Sequence, residues 1–137
     1  MRFDYGAIRR ALAERVETCD ALVAVYDTVP DRVTPPAAAV VPSEPFVEYH
    51  VAAGAGPARA TARMVFDVVV FAGRFEAASS QGFIDDLVAQ IPEAIEADQT
   101  LDGTAKVATV TEASNYGVVT VADSSFIGAR FVVEVYA

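Results

Sequence analysis

The chain has 137 residues, 53% apolar and 21% charged, which bounds it to one packed domain spanning 1–137 and excludes a disordered polymer. Nineteen acidic against ten basic residues give a formal net charge of -9, which argues against a nucleic-acid groove and against adsorption on anionic lipid, while leaving room for DNA as passing cargo. Cys19 is the one cysteine, so no internal disulfide is possible, and no run approaches the roughly 20 apolar residues that cross a bilayer.

From Asp4 to Thr18 the apolar positions Tyr5, Ile8, Leu12 and Val16 recur at steps of three and four, which predicts an amphipathic helix capped by Asp4. The mixture of acids and bases in MRFDYGAIRRALAE does not fit a secretory leader. ALVAVYD, 21–27, changes the period to two and predicts a strand. The segment 28–45 holds five of the seven prolines, so any strand there, such as Ala38 to Val41, is expected to be short and at an edge. FVEYHV, 46–51, alternates as a further strand, and 52–60 is a loop by its glycine and proline content.

A long strand is expected from Ala60 to Phe71. A second helix follows from Ser80 to Asp98, capped by Ser79 or Ser80, with a stripe of Ile84, Leu87, Val88, Ile91 and Ile95 and a kink or restart at Ile91 imposed by Pro92. Asp102 and Gly103 mark a turn. KVATVTE, 106–112, is a strand, Asn115 to Gly117 another turn, and 118–121 and 126–136 form a closing hairpin.

Within the long strand, MVFDVVVF is apolar on both sides: Phe66, Val68 and Val70 point one way, and Val65, Asp67, Val69 and Phe71 the other. Two amphipathic helices can shield only one of these faces. The expected fold is therefore α+β, an antiparallel or mixed sheet with two helices packed on one face. The other face is left for the 37–51 segment or a neighbouring subunit, which makes Val65, Asp67, Val69 and Phe71 interface candidates. Arg63 and Arg130, with Arg59 and Arg74, sit near strand ends, where they could pair with the acidic face of a neighbouring copy formed by Asp85, Asp86, Glu93, Glu96 and Asp98. Tyr26, Tyr49, Tyr116 and Tyr136 are amphipathic and suited to an interface.

Catalytic equipment is sparse. His50 is the lone histidine and shares a strand face with Glu48, but no third ligand stands at motif spacing. GAGPAR, 54–59, lacks the third glycine of a dinucleotide loop and opens onto a strand. Asp85 and Asp86 are adjacent on a helix and diverge by about 100°. No enzyme activity, metal or cofactor is expected.

Four strings, VYDTVP at 25–30, IPEAIEAD at 91–98, VTEASNYG at 110–117 and GARFVVEVYA at 128–137, together with the element order, resemble the tail terminator proteins of long-tailed, siphovirus-type bacteriophages. The resemblance implies a hexameric ring on the head-proximal end of the tail tube. Its partners would be further copies of the chain, the tail tube protein and a head completion or connector protein, in a virion assembled in the host cytoplasm. The matching strings carry over Tyr26, Asp27, Asn115, Tyr116, Gly117 and Tyr136 as contact positions. Another head-to-tail joining or tail completion component is the nearest alternative, and a small monomeric binding module a more distant one.

Overall fold

A computed structural model describes residues 3–28, 30–49, 62–74, 78–121 and 123–137. The element order is α1 (Tyr5–Glu17), β1 (Ala24–Tyr26), β2 (Ala37–Tyr49), β3 (Ala62–Arg74), α2 (Ala78–Glu96), β4 (Val107–Val121) and β5 (Ser124–Tyr136). The strands form one sheet in the order β1-β2-β3-β5-β4, parallel between β1 and β2 and antiparallel elsewhere. The fold is α+β, a mixed sheet with both helices packed against it, as the periodicities require.

Asp4 caps α1: its Oδ1 accepts from the Ala7 N–H at 3.0 Å, satisfying one of the free donors of the first turn. The helix buries Ile8, Leu12 and Val16 completely. From α2 come Ile84, Leu87, Ile91 and Ile95, also completely buried, and both stripes rest on Val40, Met64, Phe66, Val68, Val70, Phe131, Val133 and Val135 of the sheet. Burying the four α2 side chains contributes roughly 6 to 12 kcal/mol before entropy, at about 1.5 to 3 each. Tyr5 stacks on Phe66 with ring centres 5.2 Å apart and meets Phe46 edge-on at 5.7 Å, tying the start of α1 to β2 and β3.

Several local expectations are corrected. Residues 37–41 and 46–49 belong to a single strand, β2, whose register shifts between Pro42 and Val47. Nor is its first part an edge, because Ala37–Ala39 pair with β1 on the far side; the prolines fall beyond that pairing. The 106–112 and 118–121 strands are likewise one strand, β4. Asn115 to Gly117 form a bulge in it rather than a turn: Ser114 pairs with Arg130 and Gly117 with Gly128, so two residues oppose Ala129 alone. Asn115 takes the left-handed conformation at φ 57°, which asparagine tolerates. Helix α2 begins at Ala78, so Ser79 and Ser80 lie inside its first turn, and it continues through Pro92 without restarting. Val88, placed in the core stripe by its spacing, is 52% exposed.

Gly128 fixes the closest approach between β5 and its neighbours. A methyl group there would run into the Val70 carbonyl oxygen and stand 2.9 Å from the Val119 Cγ2. Gly128→Ala should lower unfolding free energy by about 1 to 3 kcal/mol in urea titration, the usual cost of forcing a packed backbone apart.

Candidate functional site: the sheet face away from the helices

Alternation along β3 and β5 carries Arg63, Val65, Asp67, Val69 and Phe71, and Arg130, Val132, Glu134 and Tyr136, to the face opposite the helices. The segment 37–49 does not cover this face, as one expectation had it, because it is hydrogen-bonded beside β3 in the same layer. Among the described residues the cover comes from two other sources. At one end Phe71 and Phe126 meet edge-on at 5.7 Å and are closed over with Ala37 and Ala39 by Tyr26, Val33, Val41 and Val119, so the proline-rich segment after β1 folds back on the sheet. The Tyr26 hydroxyl anchors that return by accepting from the Thr34 N–H at 3.2 Å.

Over the rest of the face, charged side chains lie across the strands. Arg63 Nε donates to Glu134 Oε1 at 2.8 Å, its Nη1 donates to Glu48 Oε1, and the Tyr136 hydroxyl donates to the same Glu134 oxygen at 2.9 Å. Arg130 Nη1 stands 3.6 Å from Asp67 Oδ2, and its Nε donates to Ser114 Oγ at 3.2 Å. Both arginines are thus engaged by carboxylates of their own chain. Glu48, Asp67, Glu112 and Glu134 outnumber Arg63 and Arg130, so this face is not a basic surface awaiting the acidic helix of another copy.

Asp67 is 9% exposed, and its Oδ1 is buried without a hydrogen-bond partner. Burial pushes its carboxyl above the usual range, a shift opposed by Arg130 and by a Ser43 hydrogen bond and reinforced by Glu112. Glu134 moves the other way, held low by the Arg63 hydrogen bond against some burial, with Tyr136 adding to the effect.

Seven of the sequence-selected residues, Arg63, Val65, Asp67, Val69, Phe71, Arg130 and Tyr136, therefore share one face. Val65, Asp67 and Phe71 are already buried within the single chain, whereas Val69, Arg130 and Tyr136 are half-buried. The bulge residues Asn115, Tyr116 and Gly117 join Val69 and Arg130 around a shallow groove of about 550 Å³. Tyr26 closes the aromatic end of this face, and Asp27 follows it at the β1 edge, beside Arg10, Glu14 and Glu17 of α1. Tyr49 is 62% exposed at the end of β2. His50, Arg59, the 52–60 loop and the Arg74 side chain lie outside the described residues.

Sequence reasoning did not identify Glu48, Ser43 or Ser114 as partners of this face. Alternation along β5 puts Glu134 on the same face as Arg130, but the pairings depend on the cross-strand register. Among the described residues no helix is long and apolar enough to cross a membrane, and no group of three or more His, Cys, Asp or Glu is placed to hold a metal.

The opposite shifts give opposite pH dependences. Asp67, raised when folded, binds its proton more tightly in the native chain, so it adds stability as pH falls from neutrality toward the ordinary carboxylate value; Asp67→Asn should abolish that gain. Glu134, lowered when folded, contributes stability above its unfolded pKa that disappears on acidification. Glu134→Gln should therefore lower Tm at pH 7 and have little effect near pH 2, read by thermal melts across that range.

No protein-family model matches the chain, and no curated protein matches it.

Proposed function

We propose that the chain is a structural subunit that forms a ring, hexameric by resemblance to the tail terminators, at the head-proximal end of a phage tail tube. The ring ends tube growth and presents a surface for head attachment, and DNA passes through it. The observation that supports this reading most directly is the sheet face away from the helices. Between the closed aromatic end and the Arg63 network runs a strip of half-buried Val41, Val69 and Val132, next to the groove at Asn115–Gly117. A flat strip on one side of a subunit and a different surface on its other side suit a head-to-tail contact, the kind that closes into rings.

Capping a polymer requires complementary surfaces rather than an activated nucleophile, which accords with a face whose two arginines are engaged by carboxylates across strands. The alternative, another head-to-tail joining or tail completion component, would use the same fold and differ in where the ring resides.

Light scattering of the chain incubated with tail tubes, followed by electron microscopy, tests the proposal. Rings on tube ends are expected, and a species that stays monomeric in the presence of tubes overturns it. Val69→Asp should leave the helix-covered core folded, with far-UV circular dichroism unchanged, and abolish ring formation. Global unfolding of that variant would show instead that the strip serves the chain's own stability.

A further inference from the structure

On the sheet face away from the helices, one arginine stands between two carboxylates. Val132 of β5 pairs with Asp67 on β3 and with Glu112 on β4, so the three side chains form a row across the face. Arg130 comes two residues earlier on β5 and therefore lies diagonal to both acids, a separation that a long side chain spans. The first register shift of β4, between Val110 and Glu112, is what turns Glu112 to this side. Without it Glu112 would point toward the helices.

Arg130 leans toward Asp67. Its Nη1 stands 3.6 Å from Asp67 Oδ2, and its Nε donates to Ser114 Oγ at 3.2 Å. Among the described residues its one ion pair is with Asp67. The Ser114 bond steadies the stem and leaves the end of the guanidinium free to turn. At 3.6 Å no hydrogen bond joins Nη1 to Asp67, and Asp67 Oδ1 is buried without any partner. The hold is coulombic, so it lasts only while Asp67 is charged.

The other polar groups on this face leave Arg130 to these two acids. Ser43 and Glu48 approach from β2, Arg63 from β3, and Glu134 and Tyr136 from β5. Arg63 is engaged by Glu134 and Glu48, and Tyr136 donates to Glu134. Burial is the largest influence on Asp67 and disfavours its charge; Arg130 and Ser43 oppose that effect, and Glu112 adds to it. Glu112 itself is exposed, where water supports a charge. On acidification the buried acid takes the first proton.

We infer that Arg130 is a two-position arm set by a single proton: it leans to Asp67 while that carboxylate is charged and swings to Glu112 once Asp67 is neutral. A neutral carboxyl keeps no ionic hold on the guanidinium, and the unmatched charges that remain in the row, Arg130 and Glu112, are of opposite sign. The swing carries the guanidinium from the β3 side, where Val69 is the cross-strand partner of Arg130, to the bulged β4 side. Val69 and Arg130 both line the groove at Asn115–Gly117, so the shape and charge of that groove become dependent on pH. This inference does not require the ring.

Side-chain NMR on the whole isotope-labelled chain tests it. In the wild type, NOEs from the Arg130 δ-protons to the Asp67 β-protons should fade, and NOEs to the Glu112 γ-protons appear, as pH falls through the midpoint read from the Asp67 carboxyl carbon. Asp67→Asn keeps the shape and removes the charge, so it should show the Glu112 contact already at about pH 7. At that pH Glu112→Gln should lower Tm more in the Asp67→Asn chain than in the wild type, because only there does the arm rest on Glu112. An Asp67→Asn chain without the Glu112 contact, or equal effects of Glu112→Gln in the two backgrounds, would overturn the inference. The wild-type titration needs no substitution, and NOEs that stay fixed through the Asp67 midpoint would overturn it as well.

Discussion

Strand β3 is apolar on both sides, and the helices come from only one. Everything else in the fold follows from how the chain deals with the second side. Phe66, Val68 and Val70 receive α1 and α2 and form the main core. Phe71 receives the return of the proline-rich segment through Val33 and Tyr26, which closes a smaller cluster at one end. Among the described residues no secondary structure element is laid over Val65 and Asp67, and long side chains from neighbouring strands lie flat instead, linked through Arg63, Glu134, Glu48 and Tyr136. Such groups bury apolar stems while keeping their charged ends near water, so a single layer of them covers strands that would otherwise be bare.

That arrangement explains why Asp67 is tolerated. A carboxylate in the middle of an apolar strand is costly, and here one oxygen is buried without a partner. Arg130 lies 3.6 Å from the other oxygen, a distance at which attraction is real but a hydrogen bond is not made. The residue is compensated only in part. On a face where Arg63 and Glu134 pair closely it is the place where the sequence accepts a local cost.

The periodicities made the layered fold legible. A spacing of 3.6 located both helices, a spacing of two located β1, β3 and the end of β2, and the imbalance between two helices and a doubly apolar strand implied helices on one face. What could not be seen was continuity through irregularity. Pro42 and Pro45 look like an interruption, yet β2 runs through them with a shifted register. Asn115 and Gly117 have the composition of a turn, and the same conformational freedom serves a bulge. Local sequence does not distinguish the two, because the difference lies in whether the strand continues along the same neighbour. Val88 illustrates the converse: its spacing suits the core, yet it is 52% exposed. The partners of Arg63 are 15 and 71 residues distant, so no window of sequence could have paired them.

The two irregularities of β4 also have a joint effect on its pleat. Each inserts one extra residue, so each reverses which side of the sheet the following side chains occupy. Since there are two, the reversals cancel: Val110 and Val118 are on the helix side, as an uninterrupted strand would have them, while Glu112 and Ser114 between them are turned to the opposite side. The strand behaves as a reading frame shifted once and then restored. Deleting the extra residue of either bulge would straighten that stretch and leave the side chains beyond it on the sides they now occupy, whereas flattening one bulge with its residue still in place would turn the whole distal part of β4 inside out.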